Sequence, residues 1–204
     1  ATLGRRRGPA WRRPGAGRHQ GRRAGEADGG GWRRVLLLAA GGGSLGAGHV
    51  TRSLAVAEEA VAAGHEVGVA GHFEGSFVHR QLATASVEVV ELGAALAAQD
   101  LQQVIDLVGG PRPDVLHVDS YEASDFGGQG SDGVLSNMED GSFGRRPADV
   151  VVDPTLRAEL VARPDDGSTL LLRGSRYAPM RQRVLEARRR GAGMATADSA
   201  RSVL

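Results

Sequence analysis

Val35-Leu36-Leu37-Leu38-Ala39-Ala40-Gly41-Gly42-Gly43-Ser44-Leu45-Gly46-Ala47-Gly48-His49 is a short apolar run that breaks into a glycine-rich turn. The six residues Val35–Ala40 are uninterrupted by polar groups, which is the pattern of a strand covered on both faces in a parallel sheet. After the turn, His49–Ala63 reads as a helix, with Leu54, Ala57 and Val61 available to one apolar face and Gly64 as its stop. Strand, glycine turn and helix in that order open a βα unit. Closely spaced glycines let a ligand approach the backbone, and a helix N-terminus offers amides to an anion.

The same alternation continues downstream. Strands are predicted at Glu66–Ala70, Ser86–Leu92, Asp114–Asp119, Val134–Asn137, Asp149–Val152 and Thr169–Leu172. Between and after them, helices are predicted at Glu74–Ala83, Ala95–Val108 and Met180–Arg190, the second ended by Gly109-Gly110-Pro111. Ser120–Gly133 is rich in turn formers, and Met138–Arg146 is a polar turn. Seven candidate strands alternating with helices fit one α/β domain of three layers, Rossmann-like, around a mostly parallel sheet. The domain is expected over residues 33–190, with a basic extension at 1–32 and a short tail at 191–204.

Charge is distributed unevenly along the 204 residues. All 25 basic residues are arginine and the formal net charge is +1. Residues 1–34 carry ten arginines against Glu26 and Asp28, whereas residues 35–172 carry seven against twenty acids, and residues 173–204 carry eight against Glu186 and Asp198. The acidic middle argues against a specific nucleic-acid-binding domain, because phosphate contacts require positive groups on a folded face. The first 32 residues have no sustained hydrophobic period, so ordering them would cost entropy for little burial, and disorder is expected there. With no cysteine, disulfides, cysteine-ligated metal centres and a thiol nucleophile are excluded. Val35–Ala40 is far too short to span a bilayer and no leader segment precedes it, so membrane insertion is not expected and a soluble, cytoplasmic protein is the simplest reading.

The turn is neither a standard phosphate loop, lacking the lysine and hydroxyl residue after its last glycine, nor a full dinucleotide fingerprint, because Thr51 stands where the third glycine belongs. His49 sits at the strand-to-helix transition, near the carboxyl edge of the sheet where open α/β folds bind ligands. There it can activate water or a hydroxyl, or serve as a hydrogen-bonded structural imidazole. Arg52, three residues on, returns to the same side and pairs with either an acid or a phosphate. Asp119, Asp125, Asp132, Asp140 and Asp153 lack a metal-binding spacing and read as solvated or capping acids. His65, His72 and His79 read as surface or boundary histidines, and Ser44 has no histidine and acid partner to make it a nucleophile. No metal and no cofactor are expected.

Gly46-Ala47-Gly48-His49-Val50-Thr51-Arg52, followed by Ala63-Gly64-His65-Glu66-Val67, resembles the opening of bacterial nucleotide-sugar hydrolases of the pseudaminic acid pathway and of related spore-coat polysaccharide glycosyltransferase-like proteins. The likeness continues through Asp119-Ser120-Tyr121, Ala148-Asp149-Val150-Val151-Val152-Asp153 and Leu172-Arg173-Gly174-Ser175-Arg176-Tyr177-Ala178-Pro179-Met180-Arg181, covering roughly Arg34–Arg183. The resemblance implies the N-terminal half of a GT-B fold acting on a UDP- or CMP-linked sugar. It makes His49 the base that activates water and places Asp119 and Tyr121 near the sugar side of the cleft; with Gly46 and Gly48 of the glycine turn and Arg52, these are the candidate substrate-binding residues. Tyr177 and Arg181 are expected to stabilise the last turn and helix. The resembling enzymes place the nucleotide on a second domain, which the fourteen residues Gly191–Leu204 are too short to build. A completing partner protein, a noncatalytic binding or assembly module, and a truncated inactive paralogue are the readings this leaves open.

Overall fold

The computed structural model describes residues 31, 33–43, 46–92, 101–109, 111–121, 123 and 133–192. The expectations for the 1–32 extension (apart from Gly31), for Ser44, for the start of the helix at 95–100, for most of Ser120–Gly133 and for residues 193–204 lie outside them. The described elements run β1 (Arg34–Gly41), α1 (Gly48–Ala62), β2 (Glu66–Phe73), α2 (Ser76–Ala83), β3 (Glu88–Glu91), α3 (Leu101–Val108), β4 (Val115–Asp119), β5 (Val134–Met138), β6 (Val150–Asp153), β7 (Leu170–Arg173) and α4 (Gln182–Ala192). The seven strands form one sheet in the order β3-β2-β1-β4-β5-β6-β7, and every adjacent pair is parallel.

The apolar run in β1 explains the layers. Alternate residues point to opposite faces, so Val35, Leu37 and Ala39 meet one side and Leu36, Leu38 and Ala40 the other, with all six buried. On the first side they join Val50, Leu54 and Ala57 of α1 and Val78 and Leu82 of α2. On the second they join Leu116 and Val118 of β4 and Val104 of α3. Helices on both faces of a parallel sheet make a three-layer, Rossmann-like α/β fold.

Two boundaries differ informatively from the sequence pattern. β2 extends three residues past Ala70, because its pairing with β1 continues through Gly71, His72 and Phe73; a glycine and a histidine interrupt the apolar pattern but not the ladder. β3 is shorter than Ser86–Leu92, since only Glu88–Glu91 pairs with β2. The glycine turn after β1 is held by Gly42, whose N–H donates to the Gly46 carbonyl at 2.6 Å. Gly42 has φ +101°, and a Cβ there would lie 2.0 Å from the Glu74 carbonyl oxygen, so this first part of the turn is glycine for packing against the backbone just beyond β2.

The second half of the sheet is covered differently. No α-helix follows β5 or β6 before the next strand; the β6–β7 connection contains only a 3₁₀ turn at Ala158–Leu160. Val134, Leu170 and Leu171 are accordingly exposed. After β7 the chain returns to the first half, where Arg181 donates to Glu58 of α1 at 2.6 Å and to Gln81 of α2 at 3.2 Å. The Gln182 N–H also donates to Glu58 at 2.8 Å. These bonds fix the start of α4 against α1 and α2. No helix among the described residues is long and apolar enough to cross a membrane.

Candidate functional site

β1 is bordered by β2 on one side and β4 on the other, so the connections leaving β1 and β4 depart in opposite directions. Open α/β sheets leave a crevice outside the carboxyl ends of such a strand pair. Four of the residues selected from the sequence meet there: His49 and Arg52 in the first turns of α1, Asp119 as the last residue of β4, and Tyr121 just beyond it.

Arg52 is the hub. Its Nε and Nη2 donate to the two oxygens of Asp119, each at 2.7 Å, and its Nη1 donates to Oδ1 of Asp140 at 2.7 Å. The other oxygen of Asp140 accepts from the Tyr121 hydroxyl. The Tyr121 ring then meets the His49 imidazole in an edge-to-face contact, centroids 4.3 Å apart and planes at 78°. One chain of contacts thus runs Asp119, Arg52, Asp140, Tyr121, His49. Asp119 is fully buried and His49 nearly so, whereas Tyr121 is 41% exposed, so the network opens to solvent on its tyrosine side.

The electrostatics follow from these bonds. Burial disfavours the Arg52 cation, but the hydrogen bonds and charges of Asp119 and Asp140 outweigh it and hold the side chain protonated beyond the ordinary arginine range. Burial would raise Asp140, yet the bonds from Arg52 and Tyr121 and the nearby Arg52 charge keep its carboxyl below the usual value. Burial, together with the bond to Asp140 and its charge, pushes the Tyr121 phenol up, so the hydroxyl stays a donor at neutral pH. Beneath the site, His117 of β4 is enclosed with its Nδ1 2.9 Å from Ser136 Oγ. Burial pushes its pKa down despite the Asp119 charge, and Arg52 adds to the lowering.

The turn that delivers Asp140 is anchored from below. Glu139, fully buried, accepts from Arg163 at 2.9 and 3.1 Å, and Arg163 reaches Asp166 with two bonds of 2.8 Å. Arg146 donates to Asn137 of β5 and to the carbonyls of Ser120 and Ala123 at 2.8 and 3.2 Å, tying the loops after β4 and β5 together. Sequence reasoning places Asp140 in a solvated loop and gives Arg146 no role. The twenty residues between Asp119 and Asp140 carry no local signal that β4 and β5 lie side by side.

On the other side of His49, the turn presents Gly46 and Gly48 to solvent, with nothing among the described residues within 4 Å of the Cβ position at either. α1 has Ala47 at its N-cap and no side-chain cap bond, so among the described residues no capping side chain satisfies its first-turn amides. Arg52 itself is committed to two carboxylates, which makes it a brace between β4 and the β5 turn rather than a free cation facing the crevice.

The remaining polar clusters do different work. His72, at the end of β2, lies 3.1 Å from Glu74 through Nε2 and 3.5 Å from Glu91 through Nδ1; the two nitrogens face opposite ways, so these carboxylates do not converge with the imidazole on one ion. Among the described residues no group of three histidines or acids is placed to hold a metal. Asp153 accepts the N–H groups of Gly141 and Thr155 at 3.3 and 3.1 Å, a capping role. A groove of about 520 Å³ between α2 and β3, lined by Phe73, Leu82, Val87 and Val89, lies at the sheet edge. It does not include His49, Arg52, Asp119 or Tyr121.

Comparison with protein-family models, curated proteins and solved structures finds no match; what the parallel sheet and its helices show is a Rossmann-like α/β fold.

Proposed function

We propose that this chain is a nucleotide-sugar hydrolase-like or glycosyltransferase-like N-terminal domain, acting on the bond between a sugar and a nucleoside diphosphate when completed by a second domain. The observation that carries the reading is His49, set at the switch point of the sheet between an open glycine turn and the Tyr121, Asp140 and Arg52 chain. A Rossmann-like sheet suits nucleotide or sugar binding in general. The motif resemblance supplies the specific substrate class, UDP- or CMP-linked sugars.

In this reading the phosphates lie against Gly46, Gly48 and the first-turn amides of α1, where the positive end of the helix favours negative charge. The neutral His49 imidazole accepts a proton from water as the water oxygen bonds to the anomeric carbon. The bond from that carbon to the diphosphate oxygen breaks, and its electron pair leaves with the nucleoside diphosphate. An acceptor hydroxyl in place of water makes the same step a glycosyl transfer. Tyr121 contacts the sugar side and limits the imidazole's movement. Asp119 and Arg52 act through position, holding Asp140 and thereby Tyr121. The domain spans residues 33–190 in this reading. Its completing partner is supported by Leu156, Leu160 and Val161, apolar and exposed in the loop after β6, at the same carboxyl edge of the sheet as His49.

A second reading, a noncatalytic sugar-nucleotide binding or assembly module, is favoured by the commitment of Arg52 to two carboxylates and by the burial of His49. An inactive paralogue is its extreme form. The test incubates the purified chain with UDP- and CMP-linked sugars, alone and with proteins encoded beside it, and follows nucleotide release and ligand binding. Release that falls by about 10²–10⁴-fold in His49→Ala with binding retained supports catalysis. Saturable binding without release selects the module, and neither binding nor release from a folded protein defeats both.

A further inference from the structure

The chain has only eight aromatic residues, two Trp, two Tyr and four Phe, and two of them meet in the open beside His49. Tyr121 and Phe143 have ring centroids 5.8 Å apart with planes tilted by 43°. Tyr121 is 41% and Phe143 66% exposed, so neither ring is spent on the core. Large apolar groups left in water lose the burial that would otherwise stabilise the fold.

Their placement is fixed by the backbone around them. Phe143 sits in a tight turn closed by two reciprocal bonds, Asp140 N–H to the Phe143 carbonyl and Phe143 N–H to the Asp140 carbonyl, each 3.1 Å. The carbonyl of Gly144 accepts from the Asn137 side chain at 3.0 Å, and that of Gly141 accepts from Arg145 at 2.8 Å. A Cβ on Gly144 would stand 3.1 Å from the Tyr121 ring, so the backbone itself backs one side of the tyrosine. Asp140 restrains its hydroxyl. The two rings form a pre-set surface.

Strand order places that surface along the crevice. The loops leaving β1, β4 and β5 stand side by side at the carboxyl edge, giving the sequence glycine turn, His49, Tyr121, Phe143 across the sheet. A ligand with its phosphate at the glycine turn and its reacting bond at His49 therefore extends its next portion over Tyr121 and Phe143. Aromatic faces are electron-rich and apolar, and the apolar C–H face of a pyranose is a suitable complement. We propose that Tyr121 and Phe143 form a stacking platform for the sugar ring, with Phe143 the residue that sets sugar preference. The direction of the ligand, phosphate to glycine turn, rests on the proposed function; the platform itself rests on the two exposed rings.

The experiment titrates the full chain and Phe143→Ala and Phe143→Trp variants with UDP, with UDP-glucose, UDP-galactose and UDP-N-acetylglucosamine, and with the corresponding sugar 1-phosphates. Saturation-transfer NMR reads which ligand protons lie against aromatic side chains. Phe143→Ala is expected to weaken at least one sugar-bearing probe by about 2–12-fold while UDP is unchanged, Phe143→Trp to retain the affinity, and saturation to fall on the sugar ring protons. Unchanged affinity for every sugar-bearing probe in Phe143→Ala overturns the platform and leaves the functional reading standing. Equal weakening of UDP shows that the rings stack the base and overturns the sugar assignment. Phe143-dependent binding of sugar 1-phosphates with no preference for the nucleotide-linked forms keeps the platform and defeats the nucleotide reading, whereas no binding of any probe to the folded wild type defeats both.

Discussion

Asp140 accepts a guanidinium N–H on one oxygen and a phenol on the other, so it couples a charge to an exposed aromatic ring. Asp140→Asn removes the negative charge that faces the phenol. The Tyr121 phenol, now raised by burial and by Asp140, should fall back toward the ordinary tyrosine value, and ultraviolet titration of the two tyrosines should show one phenol ionising earlier than in the wild type. An unchanged titration would mean the contact is not made in solution. The same change leaves Arg52 with one carboxylate partner and should cost about 1–3 kcal/mol in urea unfolding. His117 governs a different pH window. Its folded pKa lies below that of the unfolded chain, so the unfolded state binds more protons as pH drops through about 6.5. Stability should therefore be intact at pH 7.5 and decline toward pH 5.5, and His117→Gln should flatten part of that decline in urea midpoints. Asp140 is depressed instead; its contribution is present above about pH 3.8 and is lost only as pH falls further.

At the scale of elements, β1 with α1 and β2 makes the tightest unit. A Cβ on Gly71 would fall 1.7 Å from the Ala39 carbonyl oxygen, a collision with backbone in the neighbouring strand that no rotamer relieves. Gly71→Ala should cost about 3 kcal/mol or more, while Gly48→Ala, where the Cβ position meets none of the described residues, should leave the unfolding midpoint nearly unchanged. Similar effects from the two substitutions would refute the packing argument. Leu54, buried between α1 and the sheet, should cost about 2–5 kcal/mol on truncation to alanine. These elements were legible in sequence because each carries its own periodicity. The Val35–Ala40 run and the Leu54, Ala57 spacing state strand and helix without reference to the rest of the chain. The end of β2 was not legible, since Gly71 and His72 extend a strand only because Ala39 and Ala40 are there to pair with them.

Across the whole molecule, helices cover the two faces of the sheet around β1, β2 and β4, whereas β7 has leucines exposed on both faces. Native-state hydrogen exchange should consequently be slowest in β1, β2 and β4 and fastest among the strands in β7; equal protection throughout would show that β7 is covered in solution. The sequence by itself determined the alternation of strands and helices, the parallel three-layer class and the glycine turn with His49 at its end, because periodicity, helix stops and glycine punctuation act over a few residues. Only the tertiary structure decided that Arg52 joins Asp119 to Asp140, that Tyr121 lies on His49, and that Phe143 stands beside it. Those pairings depend on which strands become neighbours when the chain reverses direction across β1, and hydrogen bonds form between groups near in space whatever their separation along the chain.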